Sequence, residues 1–575
     1  MIRNKCIYSM IAAATLLAAS CTDFDDYNEA YKTGSPESKK TLWENISSRS
    51  DLTEFASLLY KVGYDKELGN TRFYTVWAPQ NGTFDYATYD QMDSTSLVDR
   101  FIKSHVADYN FTVSSSINER VHTLNEKSFE LQNIEGCTYG DHNIVSLNNP
   151  SINGIYHVMD GAVQYLPNIY EYIFDQADTD SLIAAYFAKY ESEELDIKNS
   201  VPGPIDSLGR QTYSDSVMIM NNTLFWELNA KINNEDSMYT MLLPTDEAYT
   251  SSYDQIKNSF KYNTETKYYP ITTDGVGSVL TKSEANKDYD GAYLTDSLAK
   301  LCIGSSLILA HSNKYNFWLD EVDGPQNGLL DTLMTTSGIK LSGGEEIVSH
   351  TIGSPEKMSN GYARRVDSLA LKPWEVWNPK LSVNVYSTDV RPLVKEAAVN
   401  TVEVTTYDFN ESVGDYISRY IDLVPNNDRT ARPEAYFYLN GIRSTKYNLY
   451  VVFVPACINK NSTEQEKIIQ FDVNLNYMDE KGNIGTASSP TKKFTKLLTD
   501  SANLNKIDTF LVGEVDFPYA YVGISDDCKP YVSVKINRNV YSSKEKNYGN
   551  RMRIAGLILR PVDYDEYLKK EDERL

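Results

Sequence analysis

Apolar positions recur at helical spacing early in the chain and at alternate positions late in it. Leu42, Trp43 and Ile46, then Leu52, Phe55, Leu58 and Leu59, return every three or four residues and predict two helices. Ser50 or Asp51 has the side chain to cap the second. A strand Phe73–Ala78 is expected next, then a helix around Leu97–His105. Strands follow at Thr123–Leu124, Phe129–Leu131, Ile144–Leu147 and Tyr156–Val163. A second helical pattern opens at Ile169–Phe174, and another runs over Leu298–His311 with Asp296 or Ser297 as N-cap. From Val402 the pattern changes. Short runs at Val402–Thr406, Tyr416–Leu423, Ala435–Leu439, Tyr447–Val454, Phe471–Tyr477, Thr509–Val515, Tyr519–Gly523, Tyr531–Ile536 and Met552–Leu559 read as successive strands. Among them Phe471, Val473, Leu475 and Tyr477 alternate with polar residues, as in a strand with one buried face.

With 575 residues the chain exceeds what one core can hold. The patterns divide it into modules over 38–167, 168–380 and 381–575. The middle module carries long inserts near 196–222, 254–295 and 313–330, and insertions of this size go to surface loops that often carry function. Many short strands separated by turn signals make the third module a β-sandwich. Its ending, Arg551–Pro561, resembles the last strand of jelly-roll carbohydrate-binding modules. The charged tail after Pro561 is a short helix or disordered.

The first residues read as an address. Arg3 and Lys5 precede an apolar run, Cys6–Ser20, of 15 residues, short of the roughly 20 a spanning helix needs. The run ends in Leu17-Ala18-Ala19-Ser20-Cys21, which resembles a bacterial lipobox, so 1–20 is expected to be a lipoprotein signal peptide and Cys21 the lipid attachment site. Asp23, Asp25 and Asp26 follow and resemble the surface-export signal of Bacteroidetes lipoproteins. Residues 21–37, rich in Asp, Asn, Ser, Gly and Pro, are expected to be a flexible tether. The resemblance implies an outer-membrane, lipid-anchored protein facing the cell exterior.

Three motifs carry a further resemblance. Tyr74-Thr75-Val76-Trp77-Ala78-Pro79-Gln80-Asn81-Gly82-Thr83-Phe84, then His105 in Phe101–Val106, then Asn153-Gly154-Ile155-Tyr156-His157-Val158-Met159-Asp160 stand in the order of the fasciclin (FAS1) domain. A worn copy follows. Tyr239–Tyr249 resembles the first motif, and Ser359–Asp367 aligns with Asn153–Asp160, with Arg364 where His157 stands. The implied fold class is an α+β N-terminal region of two FAS1-like domains, each a β-sandwich with helices, followed by an all-β jelly-roll-like sandwich. In that family the motif His and Asn are mostly structural, and the modules serve adhesion and binding.

The net charge of −24 argues against nucleic-acid partners, because an acidic surface repels phosphates. The 43 Tyr suit sheets and recognition surfaces alike. Six Cys include no CxxC pair, which leaves a zinc or redox site without support. Cys457 and Cys528 fall in one module, and their pairing is left open. No HExxH, nucleophile elbow, Walker loop or GxGxxG occurs in a convincing context. Asn286–Gly291 matches the opening of a calcium loop, but Ser297 occupies the twelfth position, so the string reads as a turn before a helix. No metal, cofactor or catalytic residue is expected. The expected function is non-enzymatic adhesion or ligand binding, to glycan or protein, with Trp318, Tyr519, Tyr541 and Tyr548 as candidate aromatic contacts. The alternative is an accessory subunit of a nutrient uptake complex, beside a TonB-dependent transporter and its lipoprotein. A polysaccharide hydrolase is a third reading.

Overall fold

Thr41 starts the first helix with a reciprocal cap. Its hydroxyl accepts from Glu44 N, and the Glu44 carboxylate accepts from Thr41 N at 2.8 Å. The structure, a computed structural model, describes residues 36–573 apart from 115, 135, 198–199, 268–289, 312–331, 500–503, 524–528 and 542–547. The predicted signal, Cys21, Trp318 and Cys528 lie outside the described residues, as do most of the tether and of the inserts at 254–295 and 313–330.

The described residues form two compact units. The first runs to Glu171 and includes Asn233–Ser237 and Lys357–Gly361; the second holds the rest. In the first unit, helices Leu42–Ser47 and Thr53–Lys61 carry Leu42, Ile46, Phe55, Leu58 and Leu59 into a core shared with Val76, Phe101 and Tyr156. The expected cap at Ser50 or Asp51 is not used. Leu52 is the N-cap, the Asp51 carboxylate is held by Arg49, and Asn81 Oδ1 takes Glu54 N instead. A seven-stranded sheet follows in the order Val106–Asp108, Tyr74–Pro79, Gly154–Met159, His142–Ser151, Cys137–Tyr139, Ser128–Asn133, Asn118–His122. Tyr74–Pro79 and Gly154–Met159 pair in parallel, with Tyr74 opposite Gly154. Gly154 has φ 148°, and a Cβ there would lie 2.0 Å from Tyr74 O, so the turn accepts only glycine.

The second unit begins with helices and a small sheet. Asp246–Ile256 is capped by Thr245, which accepts from Ala248 N. The helix expected from Leu298 begins earlier, at Gly291, and its cap is Asp290 rather than Asp296 or Ser297. It ends at Gly304, and Ile308–Ala310 is a strand paired with Tyr239–Met241. The insert near 196–222 is extended: Glu191–Leu195 pairs with Met218–Asn222, and Val201–Ile205 with Gln211–Asp215.

The rest of the second unit is strand-rich, in two main sheets. One has the order Ala397–Glu403, Arg419–Pro425, Met552–Pro561, Lys446–Phe453, Asp508–Asp516. The other consists of β1 Leu393–Lys395, β2 Glu434–Tyr438, β3 Ile469–Asn476, β4 Lys492–Leu498 and β5 Tyr531–Ile536, in the order β1-β2-β5-β3-β4. Phe453 of one sheet meets Phe471 of the other with ring centroids 5.0 Å apart. The expected strand Tyr519–Gly523 is absent; only Tyr521 makes a bridge, to Ile442, while Ala520, Tyr521 and Val522 are buried as a plug. The tail forms a helix, Val562–Asp572.

Candidate functional site

The two fasciclin-like histidines are structural in their geometry. His105 Nδ1 donates to Phe101 O at 2.8 Å, and its Nε2 accepts from Val163 N at 3.2 Å. His157 Nε2 donates to Phe111 O at 3.0 Å, and its Nδ1 accepts from Asn148 N at 3.3 Å. Burial pushes both imidazoles down to about 4, so they are neutral at pH 7 with both nitrogens occupied. Asn153 accepts from Leu42 N and donates to Leu68 O and Asn70 O. Asn360 repeats this, accepting from Ile169 N and donating to Asn234 O. Arg364 is buried, and its Nε has no hydrogen-bond partner.

The polar residues that stand out lie on the outer face of the β1–β5 sheet. Alternation points Ala435, Phe437, Phe471, Val473, Leu475, Val532, Val534 and Ile536 into the core between the sheets. Their neighbours point outward and form rows across the strands. Lys395, Glu434, Lys535, Asp472 and Thr495 stand in one row; Leu393, Tyr436, Ser533, Asn474 and Lys493 in the next; Tyr438, Tyr531 and Asn476 in the third. Four strand spacings make the face about 19 Å wide.

An outer face of an antiparallel sheet is ordinarily wet. This one has exposed edges and buried polar residues on its central strands. Leu393 and Leu497 on the two edge strands are exposed, whereas on the central strands Ser533 is 2% and Asn476 1% exposed. Buried polar groups are the informative case, and here most are tied together. Ser533 Oγ donates to Glu434 Oε1 at 2.9 Å and accepts from Asn474 Nδ2 at 3.3 Å. Asp472 accepts from Thr495 Oγ1 at 2.6 Å and Asn537 Nδ2 at 2.7 Å, and pairs with Lys493 at 2.8 Å. Burial opposes ionisation of Asp472, but those three donors outweigh it and hold its carboxyl below the usual range. Asn476 differs: neither amide atom has a hydrogen-bond partner. Tyr436 and Tyr531 lie side by side with ring centroids 6.1 Å apart.

The opposite sheet makes the contrast. Its outer groups Asn448 and Tyr450 donate to Asp565 of the tail helix, each at 2.6 Å, and that helix packs across them. No helix among the described residues packs on the β1–β5 face in this way. The site therefore offers tyrosine rings, a floor of amide and carboxylate acceptors and donors, and lysine rims. Glu434 and Asp472 are both engaged, Glu434 by Ser533 and Lys535 and Asp472 by Thr495, Asn537 and Lys493.

Of the residues picked from sequence, Tyr541 is 78% exposed beside 542–547. Tyr548 bridges Ile468 and lies under the Arg538 guanidinium at 4.2 Å. Tyr519 OH donates to Glu480 O at 3.2 Å. Ile468 precedes β3 and Glu480 follows it, so Tyr548 and Tyr519 stand at opposite ends of that strand, roughly 25 Å apart. They do not form one cluster. Cys457 is a free thiol, half-buried. Sequence reasoning missed the site tyrosines Tyr436, Tyr438 and Tyr531, although the alternation through β3 marked Asp472, Asn474 and Asn476 as one face. Among the described residues no group of His, Cys, Asp and Glu is arranged to hold a metal, and no helix is long and apolar enough to cross a membrane.

Residues 50–164 match the family model of the Fasciclin domain, and this stretch is a fasciclin domain with helices over a sheet. No curated protein matches the chain. Among solved structures, a FAS1 domain pair from the insect cell adhesion molecule Fasciclin I is 10% identical, over 58% of this chain and 97% of that one, with a TM-score of 0.19. The C-terminal family 22 carbohydrate-binding module of Clostridium thermocellum Xyn10B is 15% identical, over 32% of this chain and 92% of its own, with a TM-score of 0.17. The family 11 module from Clostridium thermocellum, in complex with a β-1,3-1,4-mixed-linked tetrasaccharide, is 10% identical, over 32% and 95%, with a TM-score of 0.17.

Proposed function

We propose that the chain is a non-enzymatic, surface-displayed lipoprotein that binds glycan on the outer face of its β1–β5 sheet. In this reading Cys21 carries the lipid, residues 168–380 are a second fasciclin-like module, and 381–575 is a jelly-roll-like binding module held away from the membrane. The observation that carries it is the row of buried polar residues between exposed edges, beside the half-buried Tyr438 and Tyr531 and the buried Tyr436. Sugar rings offer apolar C–H faces to aromatic rings and hydroxyls that both donate and accept. A tyrosine wall beside an Asn–Ser–Glu–Asp floor complements both. Calorimetry against a glycan panel tests it. Tyr531→Ala is expected to weaken binding at least tenfold, about 1.4 kcal/mol, with the urea midpoint little changed. A panel with no binder removes the reading.

A second reading, docking to an outer-membrane transporter and its lipoprotein, draws on a different feature. The strands between Glu191 and Asn222 expose Val201, Ile205, Met218, Ile219 and Met220, together with Ile197 and Leu208 in the connecting segments. Exposed apolar side chains on two-stranded ribbons mark interaction surfaces. Co-purification from detergent-solubilised membranes, with and without residues 196–222, tests it: a transporter captured equally by both forms, or by neither, argues against docking through this insert.

A further inference from the structure

The β1–β5 face is more basic than the molecule that carries it. The chain has 79 acidic against 55 basic residues. On this face, among the described residues, Lys395, Lys493, Lys529 and Lys535 stand with Glu434, which faces Lys395 across the strands, and Asp472. Lys493 and Lys535 are engaged, 2.8 Å from Asp472 and 3.5 Å from Glu434. Lys395 and Lys529 make no ion pair among the described residues. Each lies instead over a tyrosine ring: Lys395 Nζ is 4.7 Å from the centroid of Tyr436, and Lys529 Nζ 4.6 Å from that of Tyr438. Lys395 donates one hydrogen bond, to Tyr436 OH at 2.8 Å. An ammonium has three donors, so both cations retain donors for a further acceptor. Tyr436 and Tyr438 are alternate residues of β2, about 7 Å apart along the strand, so the two cations address one short stretch of surface.

We infer that the ligand of this face is an anionic glycan, a chain bearing uronate carboxylates or sulfate esters. This rests on the glycan reading above and narrows it. A neutral sugar gives these ammonium groups only hydroxyls. An anionic group gives them a counter-ion, at a site where an aromatic wall takes the ring that bears it. Lys395 and Lys529 then select the charge, while Tyr531 and the floor bind the ring.

The test uses the full chain and calorimetry with polygalacturonate and alginate, each beside its carboxyl-reduced form, and chondroitin sulfate beside its desulfated form and its desulfated, carboxyl-reduced form. At least one acidic polymer is expected to bind about tenfold tighter than its neutral counterpart at low salt, with the ratio shrinking as salt rises. Lys395→Gln with Lys529→Gln is expected to bring that ratio near one while keeping residual binding, and Lys446→Gln on the other sheet to leave it alone. Tyr531→Ala is expected to weaken acidic and neutral forms together. Affinity lost on desulfation, or only on carboxyl reduction, identifies which anion is read. Equal binding of acidic and neutral forms, or a ratio unmoved by the lysine changes, overturns the inference and leaves glycan binding standing. Binding of no member overturns both.

Discussion

Asn153→Ala should cost the first unit about 3–5 kcal/mol. The side chain accepts from Leu42 N at 2.8 Å and donates to Leu68 O at 2.9 Å and Asn70 O at 2.7 Å. These bonds tie the first helix, the loop before Tyr74 and the turn at Gly154 to one residue. Alanine removes all three. A net hydrogen bond is worth about 0.5–1.5 kcal/mol, and each backbone group left buried and unpaired adds roughly 1–3. Leu42 N is sealed, whereas Asn70 O can recover water, which places the sum in the middle of the range. That is a large share of a domain stability of about 5–15 kcal/mol. Urea denaturation followed by circular dichroism reads it; with m near 2 kcal/mol/M the midpoint should fall by about 2 M. Hydrogen exchange should accelerate first at Leu42. Glycan binding by the β1–β5 face should be unchanged. A loss under about 1 kcal/mol refutes the bond accounting. Normal stability with lost binding refutes the reading of this motif as scaffold.

The histidines make the first unit acid-sensitive. Their folded values of about 4 lie below the ordinary 6.5. The unfolded chain therefore takes up protons in that window that the folded chain refuses, and stability falls as pH drops from about 6.5 to 4, by up to about 3 kcal/mol for each; imidazole NMR signals titrating near 6.5 would contradict this. Asn476→Leu should leave stability unchanged or raise it by about 1–3 kcal/mol, because an unpartnered buried amide is removed; a marked loss in urea would show that the amide is satisfied. Arg364→Met, replacing a buried guanidinium whose Nε lacks a partner, should likewise be neutral or stabilising by about 1–2 kcal/mol, and a lower urea midpoint would count against it. Asp565→Ala should cost about 2–4 kcal/mol and free the tail helix to early proteolysis, since Asn448, Tyr450 and Arg560 all converge on that carboxylate; an unchanged cleavage pattern would show the helix held by other contacts.

Element types were legible where the local pattern and the tertiary setting agree. Leu42–Ser47, Thr53–Lys61, Tyr74–Pro79 and Tyr531–Ile536 lie where the apolar periodicity puts them. Caps failed where the capping group came from elsewhere or the helix outran its apolar stretch. Asn81, far along the chain, takes Glu54 N, so Asp51 is free to bind Arg49. At Asp290 the cap stands well before Leu298, and the helix opens on Gly291-Ala292-Tyr293-Leu294. Lys492–Leu498 was missed because an edge strand carries lysines that discourage further pairing and blur its apolar period. Tyr519–Gly523 has a strand's composition, but it makes one bridge, with Ala520, Tyr521 and Val522 buried.

The candidate site shows why alternation alone could not find it. Asp472, Asn474 and Asn476 were visible as the polar half of β3, and a polar half is ordinarily the wet one. Asn448 and Tyr450 alternate in the same way within Lys446–Phe453. What separates the two strands is what covers each outer face. Asp565, more than a hundred residues along the chain, closes one. On the other, Glu434 and Ser533 come from strands of distant sequence to make a buried polar pair. The polar period of a single strand reports which side faces away from its core, and only the pairing of five strands reports whether that side faces water. Residues chosen as exposed aromatics in loops, such as Tyr541, answer a different question from residues that line a floor. Tyr436 and Tyr531 escaped notice because, within their own strands, they look like ordinary sheet tyrosines; their meaning comes from the lysine above one and the unpartnered amide beside the other.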